Sequence, residues 1–246
     1  MSDLSYPNES AGPIRPNPDM PGTASGLMNV FVDPSVTAKA IPRNYFWLWP
    51  VLIMAIASLA FAVISSPIVS ELLRTHPPEG MDPSKYAQSL PMIQLFTKIM
   101  MYLSPLWIVV GILVPAALVL VACNVLDIKV SFRDLFTMVA ACSLIKLIQM
   151  IATIAVVLAK GNDIQSMEEI TSPAFGLDIF LHDGVSKIVL AFFNFFSIFE
   201  IWYIIVLAFC FAYFTRNGKA RAFIATSPAW LIALLFTLVG ALFRRT

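Results

Sequence analysis

The stretch LFTMVAACSLIKLIQMIATIAVVLA, residues 135–159, decides the class of this protein. Its 25 residues include one charged side chain, Lys146. A helix needs about 20 consecutive apolar residues to cross the hydrocarbon core of a bilayer. The stretch is therefore long and apolar enough to be a transmembrane helix, and its lysine would lie inside the membrane.

Four more apolar runs of similar length occupy most of the remaining chain. The five predicted spans cover about residues 45–69, 100–126, 135–159, 188–214 and 222–243. The whole chain of 246 residues is 59% hydrophobic and 13% charged, whereas roughly a quarter of the residues are charged in an ordinary soluble domain. The sequence predicts an all-α integral membrane protein, a bundle of five transmembrane helices with short amphipathic surface helices.

The first 25 residues differ in composition from the membrane domain predicted for residues 26–246. They carry five prolines among serine, asparagine and glycine: Pro7, Pro13, Pro16, Pro18 and Pro21. Such a segment buries too little apolar surface to offset chain entropy, so we predict a disordered tail. The tail lacks the basic start and apolar core of a cleavable signal peptide, which leaves insertion to the first span.

Two amphipathic segments flank the first span. In residues 26–41 the apolar side chains recur at roughly helical spacing, Asp33 is suited to cap a helix that begins at Pro34, and Pro42 ends it. We expect this segment to lie along the membrane surface. A second amphipathic segment covers residues 86–98, ahead of the second span.

The distribution of lysine and arginine predicts the orientation of the spans. Eight of these residues fall on the side of the N-terminus and seven on the opposite side. Five of the eight crowd into two short loops: Lys129, Arg133, Arg216, Lys219 and Arg221. Because basic residues in short loops favour the cytoplasmic side, we predict a cytoplasmic N-terminal tail and a C-terminus on the opposite side. Helical spans are typical of the bacterial inner membrane, since outer-membrane proteins are barrels.

Residues typical of catalysis or metal binding form no recognisable pattern. The chain has no Ser/His/Asp grouping, phosphate-binding glycine loop or HExxH spacing. His76 and His182 fall in separate loops, and the acidic loop at residues 160–187 lacks the alternating carboxylates of a calcium site. A net charge of +1 gives no global attraction to nucleic acid. We therefore predict no catalytic, metal or cofactor site, and a lipid bilayer as the surrounding medium.

Two ionisable residues lie inside the predicted spans. Lys146 is near the middle of the third span and Glu200 near the middle of the fourth. A charge at the centre of the bilayer costs about 2.5–3.5 kcal/mol, so such a residue usually has a partner. Consecutive spans run antiparallel, which should bring the two residues to a similar depth. We predict an ion pair between them inside the bundle.

Other polar residues lie at helical intervals from Lys146 and Glu200. Together with the predicted pair they form a candidate polar seam. Its members are Ser143, Gln149, Thr153, Ser197 and Tyr203. The seam could conduct a proton, an ion or a small solute, because charges within the membrane often mark such pathways. It could also be structural, since the chain shows no repeat of the kind built into many secondary transporters. The structural interpretation is the favoured one.

Several short motifs occur in a familiar order along the chain. They are Phe31-Val32-Asp33-Pro34, Trp49-Pro50, Ser172-Pro173, Phe199-Glu200-Ile201-Trp202, the basic turn at residues 216–221 with Ala220, and Trp230. In this order the chain resembles a bacterial-type member of the Yip domain family (Ypt/Rab-interacting membrane proteins) over roughly residues 27–243. The resemblance implies five spans, a cytoplasmic N-terminus and a short C-terminus on the opposite side. It supplies no catalytic residues. Eukaryotic members resemble vesicle-traffic adaptors that bind small GTPases, a partner that we do not extend to this chain.

Two functional hypotheses follow. The first is a non-enzymatic scaffold or adaptor of the Yip type that organises membrane partners or bilayer shape, and the second is a transporter or channel subunit that uses Lys146 and Glu200. The partner protein is not indicated by the sequence. A stripe of small residues on the first span, Ser58, Ala62 and Ser66, could serve a homo-oligomer, although packing within the bundle is the favoured interpretation.

Overall fold

The computed structural model describes residues 20–75, 82–161, 164, 170, 175–176 and 185–243. Residues 1–19 of the predicted tail, both histidines and the motif Ser172-Pro173 lie outside them, as do the four carboxylates of the predicted acidic loop, Glu168, Glu169, Asp178 and Asp183. The helices are, in chain order, α1 Thr23–Met28, α2 Pro34–Ala40, α3 Leu48–Thr75, α4 Pro83–Tyr102, α5 Ser104–Val125, α6 Phe132–Cys142, α7 Leu144–Lys160, α8 Lys187–Phe195, α9 Ile198–Thr215 and α10 Lys219–Phe243.

Five helical segments of the described chain are long and apolar enough to cross a membrane. They are Leu48–Thr75, Ser104–Val125, Phe132–Lys160, Ile198–Thr215 and Lys219–Leu242. The third consists of α6 and α7, which run on from each other because the Ser143 N–H still bonds to the Val139 carbonyl at 2.9 Å. The predicted fold class, an all-α membrane protein with five spans, is confirmed.

Small and aliphatic residues let the spans approach closely. The helix α5 packs against α3, α6 and α10, while α9 packs against α10. The shared core includes the buried side chains of Ile112, Ala116, Leu135, Met138, Leu207, Phe211 and Ala225. Small side chains of this kind permit close helix contacts inside a bilayer. Ser58 and Ala62 of the small-residue stripe are also buried within the bundle.

The first two helices and the 3-10 turn between them, Asn29–Phe31, form what we call the N-terminal layer. Asp33 caps α2 as predicted, since its carboxylate accepts the Ser35 N–H at 3.0 Å and the first helical residue is Pro34. The Ser35 hydroxyl also donates to this carboxylate, at 2.6 Å, and the hydroxyl and N–H hydrogen bonds together lower the pKa of the Asp33 carboxyl group. The layer packs along α9, where the rings of Phe31 and Trp202 have centroids 6.1 Å apart.

The helix α4 contains the predicted amphipathic segment, residues 86–98, and also the first residues of the predicted second span. It runs alongside α3, and the Gln94 side-chain amide donates to the Ser70 carbonyl at 3.2 Å. The span α5 begins at Ser104 rather than near residue 100, because Pro105 in its first turn suits a helix start.

The predicted fourth span is not one helix. Its first part, α8, ends at Phe195, and α9 begins at Ile198. Between them Ser197 is extended, with φ −65° and ψ 156°, and its hydroxyl accepts the Glu200 N–H at 3.1 Å. A serine followed three residues later by glutamate is a helix-start signal, and here it interrupts an apolar run. Glu200 therefore lies in the first turn of α9, which corrects its predicted position near the middle of a long helix.

Candidate membrane-embedded site

The structure brings Lys146 and Glu200 together. Lys146 is at the centre of the span Phe132–Lys160, and Glu200 is the third residue of α9. The Lys146 Nζ atom lies 3.0 Å from the Glu200 Oε2 atom, and the two side chains are 39% and 13% exposed. This is a hydrogen-bonding distance, so each charged group has a partner of opposite charge inside the apolar bundle.

Tyr203 completes a group of three side chains. It follows Glu200 by three residues on α9 and so shares its helix face. The Lys146 Nζ atom lies 4.4 Å from the centroid of the buried Tyr203 ring, a cation–π contact. The ammonium group is therefore held by a carboxylate and by an aromatic face.

The position of Glu200 at the start of α9 adds a further favourable term. The N-terminal end of a helix carries a partial positive charge, which stabilises a carboxylate in the first turn. Backbone from another part of the chain also meets the break: the Ile198 N–H donates to the Phe175 carbonyl at 3.3 Å, and the Phe175 and Phe199 rings meet edge to face. The start of α9 is thus in contact with another part of the chain on one side, while Ile198 itself is 67% exposed.

A cavity of about 410 Å³ adjoins the ion pair. Its walls come mainly from the middle turns of α5 and α10, with Met54 of α3. Ile112 and Ala229 are buried on its inner wall, whereas the lining residues Val114 and Phe236 are 44% and 73% exposed on the side of the bundle. The cavity therefore opens sideways between α5 and α10, and the pair lies at the depth of the middle of these two spans.

Comparison with known families identifies the fold that carries this site. The family model of the Yip1 domain matches residues 28–241. The chain belongs to the Yip1 domain family. The resemblance inferred from the sequence motifs is thereby confirmed. No curated protein and no solved structure shows significant similarity to the chain.

The match extends from the N-terminal layer into α10, so this Yip1 domain includes all five spans and both members of the ion pair. Of the candidate seam, Ser143 and Tyr203 line the cavity with the pair, whereas Gln149, Thr153 and Ser197 are not part of its lining. Two seam hydroxyls donate to backbone carbonyls one turn earlier in the same span: that of Ser143 to the Val139 carbonyl and that of Thr153 to the Gln149 carbonyl. Ser197 serves as the cap of α9.

Trp230 of the Yip1 domain is a site residue that sequence reasoning missed. It lines the cavity, and its indole Nε1 is buried without a hydrogen-bond partner among the described residues. In the sequence Trp230 stands out only as a motif of the family resemblance, and nothing in its apolar surroundings indicates that it lines a cavity with the ion pair. Within the described residues, no group of three or more His, Cys, Asp or Glu side chains could hold a metal ion.

Proposed function

We propose that this Yip1-domain protein is a non-enzymatic scaffold of the bacterial inner membrane, with its N-terminus in the cytoplasm. The observation that carries the proposal is the exposed apolar surface of the N-terminal layer, which is fixed to the bundle. Its Val32 side chain is 85% exposed and Met28 is 69% exposed. Large apolar side chains that are exposed close together in the chain are typical of contact with a partner or with lipid.

The attachment of this surface to the spans favours a scaffold. Val30 of the layer is part of the main core, and the Thr37 hydroxyl donates to the Gly26 carbonyl at 2.8 Å inside the layer. Lys39 lies 5.7 Å from the centroid of the Tyr213 ring on α9. An apolar surface that is packed on the spans and lies beside a basic residue suits either a membrane partner or the bilayer interface, where insertion would bend the membrane.

The test uses a double variant of the layer that carries both Met28→Gln and Val32→Thr. It is compared with the single variant Val125→Thr. Val125 is 78% exposed at the end of α5 and lies outside the layer, so it is a matched control. We expect the layer variant to lose the proteins that co-purify reproducibly with the wild type, or to lose its effect on the diameter of reconstituted vesicles. Val125→Thr should retain both. Equal behaviour of the two variants in both measurements would contradict the proposal.

A transporter or channel subunit is the second candidate, because the ion pair lines a cavity and Glu200 lies just after the break between α8 and α9. Discontinuous helices and charges at the bilayer midplane are features of many transporter sites. Its test is solute flux in proteoliposomes, with Glu200→Gln compared with Glu71→Gln. Glu71 is 61% exposed and forms a pair at 4.0 Å with Arg74, so it is a surface control. Flux that stops only in Glu200→Gln would favour this candidate over the scaffold.

A further inference from the structure

We propose that the cavity beside the ion pair binds the ester and hydroxyl end of a neutral glycerolipid, a diacylglycerol, which enters from the bilayer between α5 and α10. The inference does not depend on the scaffold function. It rests on the shape of the cavity, on its charge and on the hydrogen-bond donors that line it.

The shape and lining of the cavity suit an amphiphilic molecule from the bilayer. A volume of about 410 Å³ is within the range of roughly 300–1,000 Å³ that small-ligand sites occupy. The rim residues Val114 and Phe236 are exposed where lipid would surround the bundle, and aliphatic side chains make up most of the wall. The polar groups are concentrated at the inner end, at Lys146 and Glu200. A ligand should therefore place a polar end inward and an acyl chain outward.

The charge of the inner end favours a neutral head group. The Lys146 ammonium group is already compensated by the Glu200 carboxylate at 3.0 Å. A phosphate or carboxylate that approached the lysine would also approach this carboxylate, and like charges repel strongly in a medium of low dielectric constant. An uncharged oxygen meets no such repulsion. The pair thus selects against anionic lipids.

The available donors favour a ligand with acceptor oxygens. An ammonium group has three N–H donors, and the Lys146 side chain remains 39% exposed while it is paired with Glu200. Trp230 adds a buried indole N–H without a partner among the described residues. A buried donor without an acceptor is unfavourable, and such groups usually find a partner. Ester and hydroxyl oxygens would supply acceptors, and a hydroxyl group could also donate to Glu200.

The experiment uses the full chain in phosphatidylcholine vesicles that contain a diacylglycerol with a diazirine near the ester end of one acyl chain. After irradiation, labelled peptides are quantified by mass spectrometry. We expect labelling to be concentrated on the cavity-lining turns of α5 and α10. Unlabelled diacylglycerol should compete, whereas phosphatidic acid with the same acyl chains should not. Equal competition by phosphatidic acid would overturn the proposal that the cavity prefers a neutral head group.

Variants that fill the cavity separate binding from ordinary lipid contact. An added Cβ at Gly111, which lines the cavity, meets no atom within 4 Å, so Gly111→Phe grows into open space. Ala233→Phe fills the cavity from the facing helix, and Gly240→Phe is the control, since Gly240 is equally open but not part of the lining. We expect roughly tenfold weaker labelling in the two filling variants and none of this loss in the control. Unchanged labelling in both filling variants, or labelling spread evenly over all outward faces, would overturn the proposal.

Trp230→Phe tests the unpartnered donor. The substitution keeps an aromatic ring and removes the N–H, and thermal unfolding checks that the variant remains folded despite the smaller side chain. Loss of one hydrogen bond to the ligand should weaken labelling roughly fivefold. Labelling equal to that of the wild type would show that the indole does not hold the head group.

Discussion

Each charge of the candidate site has two favourable contacts. Lys146 has a carboxylate at 3.0 Å and an aromatic face at 4.4 Å. Glu200 has the ammonium group and the positive end of α9. Because both charges depend on the same short contact, removal of one leaves the other in an apolar environment. The two residues should therefore be tested together as well as singly.

We predict that Glu200→Gln destabilises the protein more than the double variant Lys146→Met with Glu200→Leu. Removal of one partner of a buried pair costs about 3–5 kcal/mol, and replacement of both by apolar groups is often neutral. The 39% exposure of Lys146 should bring the cost of the single change below that range. Thermal unfolding in detergent measures both variants. A double variant less stable than Glu200→Gln would contradict the dependence of the lysine on its partner.

Gly26 is a second position where the identity of one residue determines the local packing, because it allows α1 and α2 to approach closely. A Cβ added there would lie 2.6 Å from the Ala40 Cβ and 3.1 Å from the Phe46 ring, so α1 and α2 could not keep their present distance. We predict that Gly26→Ala destabilises the N-terminal layer by about 1–3 kcal/mol, the usual cost of overpacking. Limited proteolysis and thermal unfolding measure the loss. Gly240→Ala, where the space is open, is the control and should be neutral or stabilising.

At the scale of helices, the sequence predicted where the spans occur but did not predict the break between α8 and α9. The apolar runs predicted where spans occur, and Asp33-Pro34 predicted the start of α2. The run at residues 188–214 hid the start of α9, because phenylalanine on both sides of Ser197 made the segment resemble one long helix. The serine and Glu200 form a helix-start signal that hydropathy alone does not reveal. The cavity could not be predicted, since it depends on how α5 and α10 are placed.

We predict that Ser197→Ala destabilises the start of α9 by about 0.5–2 kcal/mol, the usual effect of losing an N-cap. The Glu200 N–H, now bonded to the Ser197 hydroxyl at 3.1 Å, would lose its acceptor. Hydrogen exchange of the first turn of α9 should become faster. Ser197→Thr keeps a hydroxyl group and should restore most of the protection. Equal exchange rates in Ser197→Ala and the wild type would show that the cap does not hold this helix start.

At the scale of the whole molecule, the long apolar runs together with the composition predicted the class, and the order of short motifs predicted the Yip1 family. Both predictions needed only local sequence, because a membrane span is defined by length and apolarity. The arrangement of the spans required the structure. Basic residues gather where the N-terminal layer meets the spans: Arg133 donates to the Asn44 side chain at 3.0 Å, and Arg221 donates to the Leu126 carbonyl. This end of the bundle is the one that the distribution of lysine and arginine predicts to face the cytoplasm.

The orientation can be tested with single introduced cysteines. The native Cys123, Cys142 and Cys210 are fully buried and should not react, so the wild type is the background control. Gly218→Cys lies in the basic turn before α10, where an added Cβ meets no atom within 4 Å, and Lys85→Cys lies on the exposed face of α4. We predict that a membrane-impermeant maleimide labels Lys85→Cys in intact spheroplasts and labels Gly218→Cys only after lysis. The reverse pattern would place the N-terminus outside the cytoplasm, and the N-terminal layer would then face partners on the other side of the membrane.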